Sequence, residues 1–140
     1  MEKGIPSDRI IVTGIPVDEK FAHHMEKAAA RNYLAIPQNQ DVFLIMSGGI
    51  GVGNAGAICD EILRRHSGAF TVYILVGRNS DLKQTLEEKY AGNEHVRIVT
   101  FTKKVNVYMN AADVMISKPG GLTSTEAAVA QVPLVQLLVY

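Results

Sequence analysis

Apolar residues in this chain fall into short runs, set between longer stretches where they recur every three or four positions. The first spacing suits strands buried on both faces, and the second suits helices that cover them. Asp41-Val42-Phe43-Leu44-Ile45-Met46, Phe70–Val76, Val96–Phe101, Asp113–Ile116 and Pro133–Val139 read as strands. Asp18 to about Tyr33, about Asn54 to Arg65, Ser80–Tyr90, Val105–Ala112 and Thr123–Ala130 read as helices. In the second helix Ala55, Ile58, Cys59, Ile62 and Leu63 share one face. Strands alternating with helices predict an α/β fold, a Rossmann-like doubly wound parallel sheet with its ligand crevice at the carboxyl ends of the strands.

Both ends of the chain read as cut. Pro133–Val139 is strongly apolar, yet no helix follows to cover it. Arg9-Ile10-Ile11-Val12-Thr13 reads as a further strand, but Gly14-Ile15-Pro16 separates it from the repeating units, so it need not join the same sheet. The expectation is an internal segment of a longer polypeptide, truncated at both ends. Residues 1–16 would then be a strand and hinge from a preceding domain, and residues 17–140 an incomplete Rossmann-like domain.

Composition narrows the class. At 140 residues, with 47% hydrophobic and 20% charged residues, the chain is one folded domain rather than a disordered or fibrous polymer. Fourteen Lys and Arg balance fourteen Asp and Glu, which argues against a nucleic-acid reader built on a broad basic surface. The lone cysteine, Cys59, has no intramolecular partner, and neither a signal peptide nor an apolar run of about 18 residues is present, so a cytoplasmic domain is expected.

Two glycine-rich strand-to-helix turns carry the candidate chemistry. Ser47-Gly48-Gly49-Ile50-Gly51-Val52-Gly53-Asn54-Ala55-Gly56 contains Gly-x-Gly-x-x-Gly at Gly51, Gly53 and Gly56. Glycines let backbone approach a ligand closely, and the N–H groups that open a helix favour an anion. The alternative is a tight turn with no ligand. A nicotinamide dinucleotide would want an acid at the end of the next strand, and that strand ends Val76-Gly77-Arg78-Asn79; Arg78 leaves open a 2′-phosphate and hence NADP. The second turn is Ser117-Lys118-Pro119-Gly120-Gly121-Leu122-Thr123-Ser124-Thr125-Glu126, where a lysine stands beside a Gly-Gly pair at a helix start. Thr123 and Glu126 have capping-box spacing, so Glu126 could simply cap its own helix. Two anion-ready helix starts in one small sheet suit a diphosphate gripped from two sides, as in a nucleotide-sugar site whose leaving group is a nucleoside diphosphate.

Val12-Thr13-Gly14-Ile15-Pro16-Val17, Ser47 to Gly53, Phe101 to Asn110 before Ala111-Ala112-Asp113, and Lys118-Pro119-Gly120-Gly121-Leu122-Thr123 with Glu126 follow one another at a telling spacing. Together they resemble the donor half of the monogalactosyldiacylglycerol synthase and processive diacylglycerol glucosyltransferase group. That group is similar to the enzyme that adds N-acetylglucosamine to the undecaprenyl-linked muramyl-peptide precursor. The resemblance runs from about Ile10 to Val135. It implies one half of a GT-B fold and an inverting glycosyltransferase that moves a hexose from a UDP-sugar to a lipid acceptor such as diacylglycerol, with no cofactor and no metal. The parent would lie peripherally on the inner face of the membrane, with its catalytic residues in an absent acceptor domain.

By the same resemblance, Ser47, Gly48, Gly49, Gly51, Gly53 and Asn54 would lie along the donor diphosphate. Backbone near Thr102 and Lys103 would face the uracil. Lys118, Gly120, Gly121, Leu122 and Thr123 would hold the phosphates, and Glu126 the ribose hydroxyls. Relatives carry a Pro-x-Pro-Gly-Gln-Glu-like stretch after the last strand, where this chain ends Gln136-Leu137-Leu138-Val139-Tyr140, and often an Arg where this chain has Asp18. In the family Arg9–Thr13 would close the acceptor domain's sheet, so here it is expected displaced, swapped or poorly ordered, with self-association of the fragment possible. Alternative readings are the N-acetylglucosaminyltransferase of peptidoglycan precursor synthesis, a UDP-N-acetylglucosamine 2-epimerase, and a non-catalytic nucleotide-binding module.

The remaining candidates read as structural. His23 and His24 are adjacent and so point to different helix faces, with no third metal ligand at suitable spacing. His66, His95, Glu87 and Glu88 read as surface positions, and Cys59 as core. Lys103 and Lys104 either add positive potential at the donor mouth or are merely solvated.

Overall fold

A computed structural model describes residues 4–47 and 52–137. Five strands, β1 (Asp41–Met46), β2 (Phe70–Gly77), β3 (Val96–Thr100), β4 (Val114–Ser117) and β5 (Leu134–Gln136), pair in the order β3-β2-β1-β4-β5. Every pairing is parallel. The helices are α1 (Glu19–Ala22), α2 (Lys27–Tyr33), α3 (Val52–Arg65), α4 (Ser80–Lys89), α5 (Val105–Ala111) and α6 (Gly121–Val129).

The near-continuous apolar run of β1 is explained by two cores. Val42 and Leu44 face one core with Phe21, Ala30, Met109, Met115 and Ala127. Ile45 faces the other with Cys59, Val72, Ile74 and Leu86, and Phe43 packs against that cluster. Successive strand residues point to opposite faces, so a strand covered on both sides must be apolar at both parities. The chain first winds outward from β1 through β2 to β3, then returns to lay β4 on the other flank of β1. Crossovers of one hand running in opposite directions put their helices on opposite faces. That is why α3 and α4 supply the second core and α5 and α6 the first, which α2 joins from ahead of β1.

The doubly wound parallel sheet therefore stands as read from sequence, and two local expectations change. The single helix predicted from Asp18 to Tyr33 is broken at His23–Glu26 into α1 and α2. Phe21 and Ala30 are nine positions apart, about two and a half turns, so one straight helix would aim them in opposite directions. Both are buried in the same core, and the break allows it. The strand predicted at Arg9–Thr13 is absent. A 3-10 turn at Ser7–Arg9 leads into an extended, exposed segment with no strand partner among the described residues, where Ile11 and Val12 are 83% and 94% exposed. Gly14 turns this segment with φ +79°, a region a side chain would resist. Of the strand predicted at Pro133–Val139, β5 occupies Leu134–Gln136, and residues 138–140 lie outside the described residues. Among the described residues no helix is long and apolar enough to cross a membrane.

One polar cluster holds β4 against β1. The buried guanidinium of Arg31 donates to the carbonyls of Ala111 (3.1 Å), Gln38 (3.0 Å) and Gln40 (3.1 Å) and to Asp113 Oδ2 (2.7 Å). Asp113 also accepts from Lys27 Nζ at 2.7 Å and from the Val42 N–H at 2.8 Å, and its own N–H donates to the Val42 carbonyl at 2.9 Å. Partial burial alone would raise the Asp113 carboxyl. The Lys27 hydrogen bond, the Val42 N–H and the Arg31 charge outweigh it and hold the pKa below the usual aspartate value.

Replacing Arg31 with Met strands three carbonyls and leaves Asp113 with Lys27 and the Val42 N–H, and should cost about 3 kcal/mol in urea unfolding. A folded-state pKa below the unfolded one stabilises at neutral pH, and that stabilisation is lost as pH falls through the folded value. Asp113→Asn should therefore be less stable than the parent chain at pH 7, with the difference shrinking below about pH 4, measured by thermal unfolding across pH.

Candidate functional site

All carboxyl ends of a parallel sheet lie along one edge. β1 and β4 are neighbours there, with Ile45 in register with Ile116, and the strand order reverses between them. The two glycine-rich turns leave the sheet from these adjacent strands, one after Ser47 and one after Ser117, at the position where open α/β sheets bind ligands.

Of the first turn, Gly48, Gly49 and Gly51 lie outside the described residues. Ser47 is 2% exposed, and its hydroxyl donates to the Leu75 carbonyl at 2.6 Å, so it binds β1 to β2 with its proton directed into the sheet. Gly53 and Asn54 stand in the opening turn of α3, with Asn54 exposed. Gly56 is where α3 meets α4: a Cβ there would come within 3.3 Å of Lys89 Nζ. Its carbonyl lies 2.9 Å from the Tyr90 hydroxyl, which also stands 2.7 Å from Asp60 Oδ1. Lys89 pairs with the other oxygen of Asp60. The helix that opens from the glycine turn is thus anchored from behind, an arrangement between distant residues that no local signal announces.

The second turn is described in full. Gly120 is the N-cap of α6 and contributes no side-chain cap, so the helix begins at Gly121, two residues ahead of the predicted start. Thr123 and Glu126 are therefore inside the helix, at its third and sixth positions, and the capping-box reading of Glu126 fails. The first helical bond runs from the Ser124 N–H to the Gly120 carbonyl at 2.9 Å. The N–H groups of Gly121, Leu122 and Thr123 find no acceptor among the described residues. The nearby hydroxyls turn the other way: Ser124 Oγ donates to the Gly120 carbonyl and Thr125 Oγ1 to the Gly121 carbonyl, both at 2.7 Å. Three N–H donors are left facing out of the helix start, and Lys118, exposed and without an ion pair among the described residues, stands just before them.

Glu126 is half-buried one turn further along. Burial raises its carboxyl above the ordinary glutamate value, against the pull of the Lys20 charge and with the push of Asp18. Those two neighbours come from the hinge. Lys20 Nζ pairs with Asp18 Oδ2 at 3.2 Å, and Ile15 Cδ1 would stand 3.1 Å from a Cβ added at Gly121. The Gly14-to-Lys20 segment thus forms one side of the α6 helix start, a contact that sequence reasoning missed because it joins residues far apart in the chain.

Thr102 and Lys103 occupy the turn after β3, two strands and about 10 Å across the sheet from β1. Thr102 Oγ1 accepts from the Lys104 N–H at 3.0 Å, and Lys103 is exposed. Lys104 lies over the Tyr33 ring at 4.6 Å. Arg78, a candidate for a 2′-phosphate, instead lies over Phe101. The structure therefore brings Lys118, Gly120, Gly121, Leu122, Thr123 and Glu126 together, with Thr102 and Lys103 further along the same edge. Cys59 is core, its thiol pushed up to about 11 by burial, and His23 pairs with Glu19 at 3.4 Å.

Residues 54–138 match the glycosyltransferase family 28 C-terminal domain. The chain belongs to this family. It is 36% identical over 135 residues to the processive diacylglycerol beta-glucosyltransferase of Staphylococcus saprophyticus, covering 96% of this chain and 34% of that protein. It is 30% identical over 138 residues to the enzyme of the same description from Staphylococcus aureus, covering 98% and 35%. The chain thus spans about a third of the length of these curated relatives. The crystal structure of WaaG, a glycosyltransferase involved in lipopolysaccharide biosynthesis, superposes with a TM-score of 0.59 at 21% identity over 86% of this chain and 35% of that one. That likeness establishes the GT-B half-fold.

In this family 28 domain the Glu126 carboxyl costs stability when ionised. A folded-state pKa above the unfolded one means stability is greatest below the unfolded value and falls as pH rises through the folded value. Glu126→Gln should therefore melt at or above the temperature of the parent chain at pH 7, and the gain should vanish near pH 4. Thermal unfolding at both pH values checks this, and a large loss at pH 7 would make Glu126 a structural residue.

Proposed function

We propose that this domain binds the donor of an inverting, metal-independent glycosyltransferase that transfers a hexose from a UDP-sugar to a lipid acceptor such as diacylglycerol. The observation that carries the reading is the uncapped start of α6: three N–H groups without acceptors among the described residues, Lys118 beside them and the half-buried Glu126 one turn on, at the point where the strand order reverses. Each part matches what a nucleoside diphosphate offers. The diphosphate meets the N–H groups and Lys118, the ribose hydroxyls donate to Glu126, and the base reaches toward Thr102 and Lys103.

The chemistry follows from that placement. The acceptor hydroxyl attacks the anomeric carbon, a new C–O bond forms with inversion, and the bond to the diphosphate oxygen breaks. The electron pair and negative charge leave on UDP. Fixed N–H dipoles and a lysine already aimed at that charge stabilise it without reorganising as the bond breaks. Arg9–Thr13 would close the sheet of a preceding acceptor domain, which would supply the lipid site and the base that takes the hydroxyl proton. The relatives' activity toward diacylglycerol supports the acceptor class, and the parent would work at the cytoplasmic face of the membrane.

Titrating UDP into the nitrogen-15-labelled chain should shift the amides of Thr102–Lys104 and Lys118–Glu126. Shifts confined to other regions, or none, would overturn the assignment. Glu126→Gln should weaken UDP about tenfold, the scale of a charge-assisted hydrogen bond. Lys118→Met should weaken UDP more than uridine, and the difference should shrink as salt rises.

A further inference from the structure

We infer that Arg78 is a positioning residue for nucleobase recognition: its guanidinium holds Phe101 and, through it, the Thr102–Lys103 turn at the donor edge of the sheet. The inference rests on the donor-domain reading. The geometry begins at the end of β2, where the pairing with β3 slips between Leu75 and Gly77, so that Gly77 rather than Val76 stands opposite Thr100. Gly77 then turns at φ +60° with open space where a side chain would be, so the site demands glycine for conformation and not for room. That turn brings Arg78 across to β3, with Cζ 4.6 Å from the centroid of the Phe101 ring. Asn79 follows directly and caps α4, its side chain accepting from the Leu82 N–H at 2.9 Å. Gly77-Arg78-Asn79 therefore reverses the chain, places a cation and starts a helix in three residues.

Phe101 is 54% exposed. An exposed ring at the last position before a turn has many rotamers, and without a partner it would leave the turn loose. A guanidinium stacked over it removes that freedom while keeping its own charge in water. The ring and the cation also line a cavity of about 350 Å³, shared with Asn79, Lys83 and Thr100, on the same edge as Lys118 and α6. Thr102 is the next residue, already tied to the Lys104 N–H, so the position of Phe101 fixes where the backbone of Thr102 and Lys103 faces. The same contact accounts for an arginine at the end of β2 in a protein whose relatives are not dehydrogenases.

The test compares the chain with its Arg78→Ala and Arg78→Lys variants, titrated with UDP, uridine, pyrophosphate and NADPH and followed by amide shifts. Arg78→Ala should weaken UDP and uridine about fivefold, the order an exposed cation–π contact supports, and leave pyrophosphate unchanged. Arg78→Lys, which keeps a cation near the ring, should recover part of the loss. In the ligand-free state the amides of Thr102 and Lys103 should move in Arg78→Ala and those of Gly121–Glu126 should not. Unchanged UDP and uridine affinities in Arg78→Ala overturn the inference and leave the donor reading standing. An equal loss for pyrophosphate, in step with a lower melting temperature, makes Arg78 merely structural and also overturns it. If NADPH binds more tightly than UDP and loses affinity in Arg78→Ala, the guanidinium is a phosphate ligand, and the inference falls with the donor reading. If the parent chain shows no response to UDP or uridine, both fall together.

Discussion

The pairing of β1 with β4 is the constraint on which the molecule depends, and a single aspartate fastens it. Asp113 reaches from the strand entry to the Val42 backbone while Arg31 and Lys27 neutralise it from α2. The clasp adds a directional tie to the burial of Met115 and Ile116, because β4 is short and pairs with β1 through only three register positions. The clasp lies at the amino ends of the strands, and the ligand crevice opens at the carboxyl ends. The clasp and the proposed donor site thus lie at opposite edges of the same two strands, which leaves the carboxyl-end edge free to carry uncapped and charged groups.

Those groups are costly in the folded protein, and the cost is informative. A glycine N-cap forgoes roughly a few tenths of a kcal/mol relative to a capping side chain, and a half-buried carboxylate with a raised pKa opposes folding at neutral pH. Ser124 and Thr125 already stand inside the helix, where their hydroxyls bond back to the carbonyls of Gly120 and Gly121 and leave the first N–H groups alone. The first three N–H groups of α6 are therefore left without an acceptor among the described residues.

The hinge extends the same logic to the N-terminal segment. Ile15 covers Gly121, and Asp18 and Lys20 share an electrostatic neighbourhood with Glu126, so the chain that enters the domain also borders the start of α6. Movement of that segment relative to α6 would change the charge around Glu126 as well as the shape of the cleft.

Much of this was legible in the linear chain. The two-sided apolar runs of β1 and β2 and the alternation with helical periods specify a parallel sheet, because strand and helix periodicity are local properties. Lys118, Gly120, Gly121, Thr123 and Glu126 were visible as a group because they sit within one short turn. What needed the tertiary structure joins residues far apart: the break that lets Phe21 and Ala30 share a core, the Arg31–Asp113 clasp, the hinge beside Glu126 and the ring of Phe101 under Arg78. Only the folded sheet decided that Arg9–Thr13 finds no strand partner among the described residues, and that α6 begins at Gly121, which puts Thr123 and Glu126 inside the helix, too far along to form a capping box. Periodicity names the elements, but which distant side chains meet depends on how those elements cross, and no short stretch of sequence encodes that.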